Sequence, residues 1–158
     1  MNSTGLYDAF RSDVVDTARP YFWTDDDVWR YAADAHRMFL RLTGGVSDFI
    51  SEACEVPVVA GEAVVELLED DFIDLQIYRL PLNVIDGPNQ EIEDIEEDHH
   101  IHLIDWMKHL AYKKQDADTY NPQASALGAQ DFEKYCAMVK AERARYMYKV
   151  GTVGYGGL

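Results

Sequence analysis

The chain predicts a mainly α fold: a bundle of about four helices, with a small antiparallel β insertion between helices 2 and 3. Three observations carry this expectation. Apolar residues recur at helical spacing over 25–42, 98–114 and 122–148, and more briefly over 6–18. Two β-branched runs, 55–59 and 63–67, flank Ala60-Gly61 as the arms of a hairpin. Residues 72–80, FIDLQIYRL, alternate apolar with polar, which predicts a third strand with one apolar face. The β insertion thus covers about 55–80 within an expected domain of 1–150, followed by a flexible Gly-rich tail at 151–158.

The elements follow in order. In 6–18, Leu6, Phe10 and Val14 share one face, and Pro20 is the expected stop. Thr24 is a natural N-cap for 25–42, and Asp25, Asp26 and Asp27 fill the first turn, where the helix dipole favours negative charge. Val28, Tyr31, Ala32, Ala35, Phe39 and Leu42 form its apolar stripe, and Gly44-Gly45 ends it. Pro81 and Asp86-Gly87-Pro88 break the chain into a loop. Asp98 is the expected cap of a helix reaching Lys114, with Leu103, Trp106, Met107, Leu110 and Ala111 as its buried stripe and Trp106 packed against helix 25–42. Asn121-Pro122 opens a last helix about 40 Å long. Its stripe is Leu127, Phe132, Tyr135, Cys136, Val139, Arg143 and Tyr146, and Gly128 weakens the pattern. The segment ends in GTVGYGGL, whose glycines cannot hold a helix.

Composition bounds the function. With 158 residues, one domain is the default. A formal net charge of −15 repels nucleic acid and most bilayer surfaces. No apolar run reaches the roughly 18 residues of a membrane span. The opening MNSTGLYDAF has no charged region followed by an apolar one, which reads against a secretory signal and for a cytosol-like compartment. Cys54 and Cys136 form no CxxC, so both are expected as reduced, partly buried thiols.

The strongest local signal is EIEDIEEDHHIH, residues 91–102, with six carboxylates and three histidines. A carboxylate-bridged metal pair in a helical bundle needs Glu-x-x-His on each of two helices. Here Glu96-x-x-His99 and Glu97-x-x-His100 overlap on one segment, and the remaining histidines, His36, His102 and His109, follow Ala33, His99 and Trp106 by three residues. The pattern cannot be completed, and HExxH, GxSxG and phosphate-loop motifs are absent. The sequence therefore predicts no enzyme, no cofactor and no metal. It predicts instead that Glu91, Glu93, Asp94, Glu96 and Glu97 form a solvated acidic surface near a helix N-terminus. Ten tyrosines and three tryptophans exceed the needs of one small core, so some are expected at subunit contacts.

Taken together, several stretches resemble the head-to-tail adaptor, or connector, proteins of tailed bacteriophages. LYDAFRSDVVDTARPYFWTDDDVWRYAADAHRMFLRLTGGVSD resembles the family's short helix, aromatic residue, Thr-Asp-Asp cap and long helix. VPVVAGEAVVEL resembles its β-hairpin, and HLIDWMKHLAYKKQDADTYNP with the helix after it resembles its closing half. The order of these motifs is more specific than any one of them. The resemblance implies a ring, usually of twelve copies, beneath the portal protein. Such a ring extends the DNA channel and offers a platform for tail or nozzle proteins. It implies that genomic DNA passes without sequence-specific binding, that no membrane is involved, and that the protein resides at the head–tail interface of the virion after assembly in the host cytoplasm. In this family the C-terminal segment inserts against the portal, which makes Val153, Tyr155 and Leu158, the apolar residues of the tail, the expected portal-binding side chains. The acidic run would then face the channel or another exposed surface. The competing reading is an acidic interaction protein, such as a DNA mimic or a small regulator.

Overall fold

The computed structural model describes residues 1–48, 54–58, 71–74, 77–115 and 118–149. Its architecture is mainly helical, with small antiparallel pairings between the second and third helices. The helices are α1 (Ser3–Asp13), α2 (Asp25–Thr43), α3 (Leu103–Lys113) and α4 (Pro122–Lys149). The strands are β1 (Val46–Asp48), β2 (Glu55–Val58), β3 (Asp71–Asp74) and β4 (Ile77–Arg79).

Helix α2 matches its sequence signals at both ends. The Thr24 hydroxyl accepts from the Asp27 amide at 3.1 Å, and Gly44 closes the helix at φ 103°, a left-handed conformation that glycine adopts without Cβ strain. Helix α4 opens as expected, with Asn121 Oδ1 accepting from the Ala124 amide at 3.0 Å. It runs 28 residues, about 42 Å.

Helix α1 departs from the expected 6–18. It begins at Ser3, because Asn2 caps the amide of Gly5 at 2.9 Å. It ends at Asp13, well before Pro20, and Val15 takes a positive φ of 57°. The cause lies in tertiary structure. Asp16 is buried and accepts from Arg11 Nη1 and from the amide of Phe22 at 3.0 Å, so the chain must turn to bring it back onto α1. The Arg11 guanidinium also donates to the Trp23 carbonyl and to Asp25 Oδ1, each at 2.8 Å, and lies 4.1 Å from the Tyr21 ring centroid.

The expected helix over 98–114 is also divided. Glu97–His102 is a 3₁₀ turn, and the α-helix starts at Leu103. The buried stripe of α3 is Leu103, Ile104, Met107 and Ala111. Leu110 is half-buried. Trp106 is half-buried too, because its indole N–H reaches out to Asp34 of α2 at 2.8 Å while its ring leans on Phe132. In α4, Leu127 points to solvent, 58% exposed, and the buried positions among the described side chains are Ser125, Gly128, Phe132, Cys136 and Val139. Gly128 is the reason for this shift. A Cβ there would stand 2.6 Å from the Asp105 carbonyl, so the missing side chain lets α3 and α4 touch backbone to backbone.

The β insertion lies between α2 and α3 as expected, and its described strands form two antiparallel pairs. β1 pairs with β4 (Val46 opposite Arg79), and β2 pairs with β3 (Glu55 opposite Asp74), both antiparallel. The expected third strand is thus two strands with different partners. The expected hairpin arm at 63–67 lies outside the described residues, as does the tail at 151–158.

One core unites the helices and the connecting loop. Leu6, Phe10, Val28, Ala35, Phe39, Leu40, Leu103, Met107 and Phe132 are fully buried. Each of the larger side chains contributes roughly 1.5–3 kcal/mol of transfer free energy. Ile85, Ile92 and Ile95 bring the 80–96 segment onto the same core. Trp23 seals the α1–α2 joint, and its indole N–H donates to the Ala111 carbonyl at 3.2 Å, capping the end of α3. Both cysteines are buried, the Cys54 Sγ lies 3.3 Å from the Asp48 carbonyl, and burial pushes the Cys136 thiol up to about 12.

Candidate functional site

The acidic segment folds as an anchored strip. Ile92 and Ile95 turn inward at 5% and 3% exposure, so Glu91, Glu93 and Glu96 must turn outward, and all three are exposed. Among the described residues these three carboxylates form no ion pair. The other two members of the expected surface are engaged. Asp94 is half-buried and lies 3.6 Å from Arg79 Nη1, which departs from the expectation of a solvated side chain. Glu97 Oε1 accepts from the Met1 amine at 2.6 Å, a bond that draws its carboxyl below the usual range.

The three histidines after the carboxylates do not converge. His100 is buried, its Nε2 2.8 Å from the Ile95 carbonyl. His99 Nδ1 lies 2.8 Å from the Tyr135 hydroxyl. His102 stacks on the Tyr135 ring at 3.5 Å between centroids. Each thus bonds or stacks within the fold, joining the 3₁₀ turn to its own segment and to α4. Among the described residues, no three His, Cys, Asp or Glu side chains are grouped to hold a metal ion. No described helix is long and apolar enough to cross a membrane.

The strip abuts the β1–β4 pair, at the root of the β insertion. Arg79 on β4 donates from Nε to Asp48 Oδ2 of β1 at 2.9 Å and faces Asp94 on the other side. Arg143 of α4 donates to the Gly45 carbonyl at 3.1 Å, which fastens the turn after α2 to the long helix. Gly45, at φ 87°, packs so close that a Cβ would meet the Arg79 carbonyl at 2.9 Å. Two clefts flank this junction. One, of about 390 Å³, is bordered by Ser47, Tyr78, Glu93, Glu96 and Arg143. The other, of about 730 Å³, runs between Arg79, the 82–86 loop and Glu91, Glu93 and Asp94, with His36 of α2 in its wall.

Sequence reasoning expected Glu91, Glu93 and Glu96 on an acidic surface, and all three side chains are exposed. It missed His36, whose position on the α2 stripe looks like any core residue. The expected portal-binding residues Val153, Tyr155 and Leu158 lie outside the described residues. Comparison with protein-family models, with curated proteins and with solved structures yields no match to this chain.

Proposed function

We propose that this chain is a non-catalytic structural protein, a phage head-to-tail adaptor that assembles as a ring beneath the portal, extends the DNA channel and presents a platform to tail or nozzle proteins. The observation that carries the reading is the junction just described. A helical body holds a β insertion at a fixed root, and beside that root Glu91, Glu93 and Glu96 face outward without cationic partners among the described residues. An adaptor needs both parts: an arm to reach a neighbour in a heterologous ring, and a surface that DNA phosphates pass without adhering. The arrangement of a capped α2, a β insertion, α3 and a long α4 supports the sequence resemblance. In this reading the ring is a dodecamer, and Val153, Tyr155 and Leu158 dock on the portal. The protein occupies the head–tail interface of the virion. The same unpaired carboxylates favour one other reading, an acidic mimic of DNA.

The test is association with the portal protein encoded in the same genome. Purified chain mixed with portal rings should co-sediment and add a ring of density below the portal in electron micrographs. A chain shortened to 1–150 should stay folded and fail to associate. If the full chain ignores the portal and instead captures a DNA-binding protein, in competition with DNA, the mimic reading replaces this one.

A further inference from the structure

The larger cleft contains an observation that the adaptor reading does not use. His36 is 2% exposed, and neither of its ring nitrogens has a hydrogen-bond partner among the described residues. Buried polar groups are rarely left so, and each orphan costs about 1–3 kcal/mol. Burial also holds the imidazole in its neutral form by pushing its pKa down, against the opposing pull of Asp94. A neutral imidazole has one lone pair and one N–H, so His36 holds an unpartnered acceptor and an unpartnered donor just behind the cleft wall.

The rest of the lining selects the ligand's charge. Asp86, Glu91, Glu93 and Asp94 carry four negative charges, and Arg79 is the one cation among the described lining residues. That cation already bonds Asp48 and faces Asp94. The lining is therefore acceptor-rich and repels phosphates and carboxylates. Leu82, Val84 and Ile85 form its apolar side. A ligand matched to this set is a planar cation with several donors and an alkyl stem. The ammonium of lysine is more strongly hydrated and cannot present donors in a flat fork.

We propose that this cleft binds the guanidinium group of an arginine carried on a protein partner. The stem would lie along Val84, and the planar head would donate to the carboxylates with its tip toward His36. The volume of about 730 Å³ far exceeds one guanidinium and its stem, and leaves room for the residues on either side of the arginine. Leu82, 76% exposed, offers those neighbours an apolar contact. The inference does not depend on ring assembly or on the portal, and its test uses neither.

The experiment is a titration of the full isotope-labelled chain, at fixed ionic strength, with the capped peptide Ac-Leu-Arg-Leu-NH2, followed by amide and histidine-ring shifts. Saturable shifts confined to 36, 82–86 and 90–94 are expected, with a dissociation constant on the order of millimolar. Replacing the arginine with citrulline, or the peptide with ethylguanidinium, should weaken binding about tenfold. Lysine in place of arginine should weaken it by a smaller factor. The variant Glu91→Gln with Glu93→Gln alters only exposed side chains and should also lose about tenfold. His36→Phe, which keeps a ring and removes the acceptor, should lose affinity if its amide spectrum stays dispersed; the double variant keeps the test decisive if it does not. Four results would each overturn the proposal: no saturable shifts, lysine binding as well as arginine, ethylguanidinium binding as well as the peptide, or unchanged affinity in the double glutamine variant.

Discussion

Two groups of carboxylates in this chain have opposite fates. At the α1–α2 joint, Asp16, Asp25 and Asp27 are held by cations and backbone amides, and two of them are buried. On the strip before α3, Glu91, Glu93 and Glu96 are exposed and without ion pairs among the described residues. The chemistry of the groups is the same, so what differs is the surroundings. Arg11 and Lys114 project onto the first set. The second is carried outward by the inward turn of Ile92 and Ile95. The first group is structural and the second is available to act on something outside the fold. The contrast yields graded expectations for stability.

The largest effect is expected at Asp16. Its side chain is 1% exposed, that of Arg11 is 5% exposed, and the pair lies where water cannot replace either partner. Asp16→Asn keeps the shape and removes the charge, leaving Arg11 with Asp25, at the boundary, as its one carboxylate among the described residues. A loss of about 3 kcal/mol is expected in denaturant unfolding. Combining it with Arg11→Met should cost clearly less than the sum of the two single changes, because the second removes a charge already stranded. A loss under about 1 kcal/mol for Asp16→Asn would remove the distinction between the two groups.

Asp27 is intermediate, and acid tests it. Burial works against its charge, but bonds from Lys114 at 2.8 Å, from Thr24 and from Arg30 outweigh that and hold the carboxyl down at about 2. An unfolded aspartate titrates near 3.9. The folded value is the lower one, so this stabilisation is fully present above about pH 4 and is lost as pH falls toward 2, an effect of order 2 kcal/mol. Lys114→Met should raise the Asp27 titration, read by carboxyl carbon shifts, and shift the acid unfolding limb to higher pH. An unmoved titration would mean that the Thr24 and Arg30 bonds suffice.

How much of this contrast is visible in the sequence depends on whether local chemistry or distant partners decide it. Thr24, Gly44 and Asn121 were legible, because a cap is decided within four residues. The outward face of Glu91, Glu93 and Glu96 was legible from the isoleucines between them. The end of α1 was not, since it is set by Asp16 reaching back to Arg11 and forward to Phe22 and Trp23. Gly128 reads as a weak spot in a helix, and only the α3 backbone beside it turns it into a packing residue. β1, three residues long, is too short to have a period. The histidines of the strip suggested ligands by their density, whereas each bonds or stacks inside the fold. His36 was hidden for the converse reason: a missing partner can be recognised only after every neighbour is placed.

The smallest effect is expected on the strip itself. The triple variant Glu91→Gln, Glu93→Gln and Glu96→Gln leaves out Asp94 and Glu97, which have partners at Arg79 and the Met1 amine. Exposed charges without such partners contribute little to stability, so the variant should unfold within about 0.5 kcal/mol of the parent. The sign should favour the variant at low salt, because five carboxylates crowded on 91–97 repel one another. That difference should vanish as salt rises and the Debye length shrinks below the spacing of the charges. Denaturant unfolding at two ionic strengths reads both features. A salt-independent loss above about 1 kcal/mol would mean that these carboxylates hold the fold, as Asp16 does, and would remove the reason for treating the strip as a surface that faces DNA or a partner.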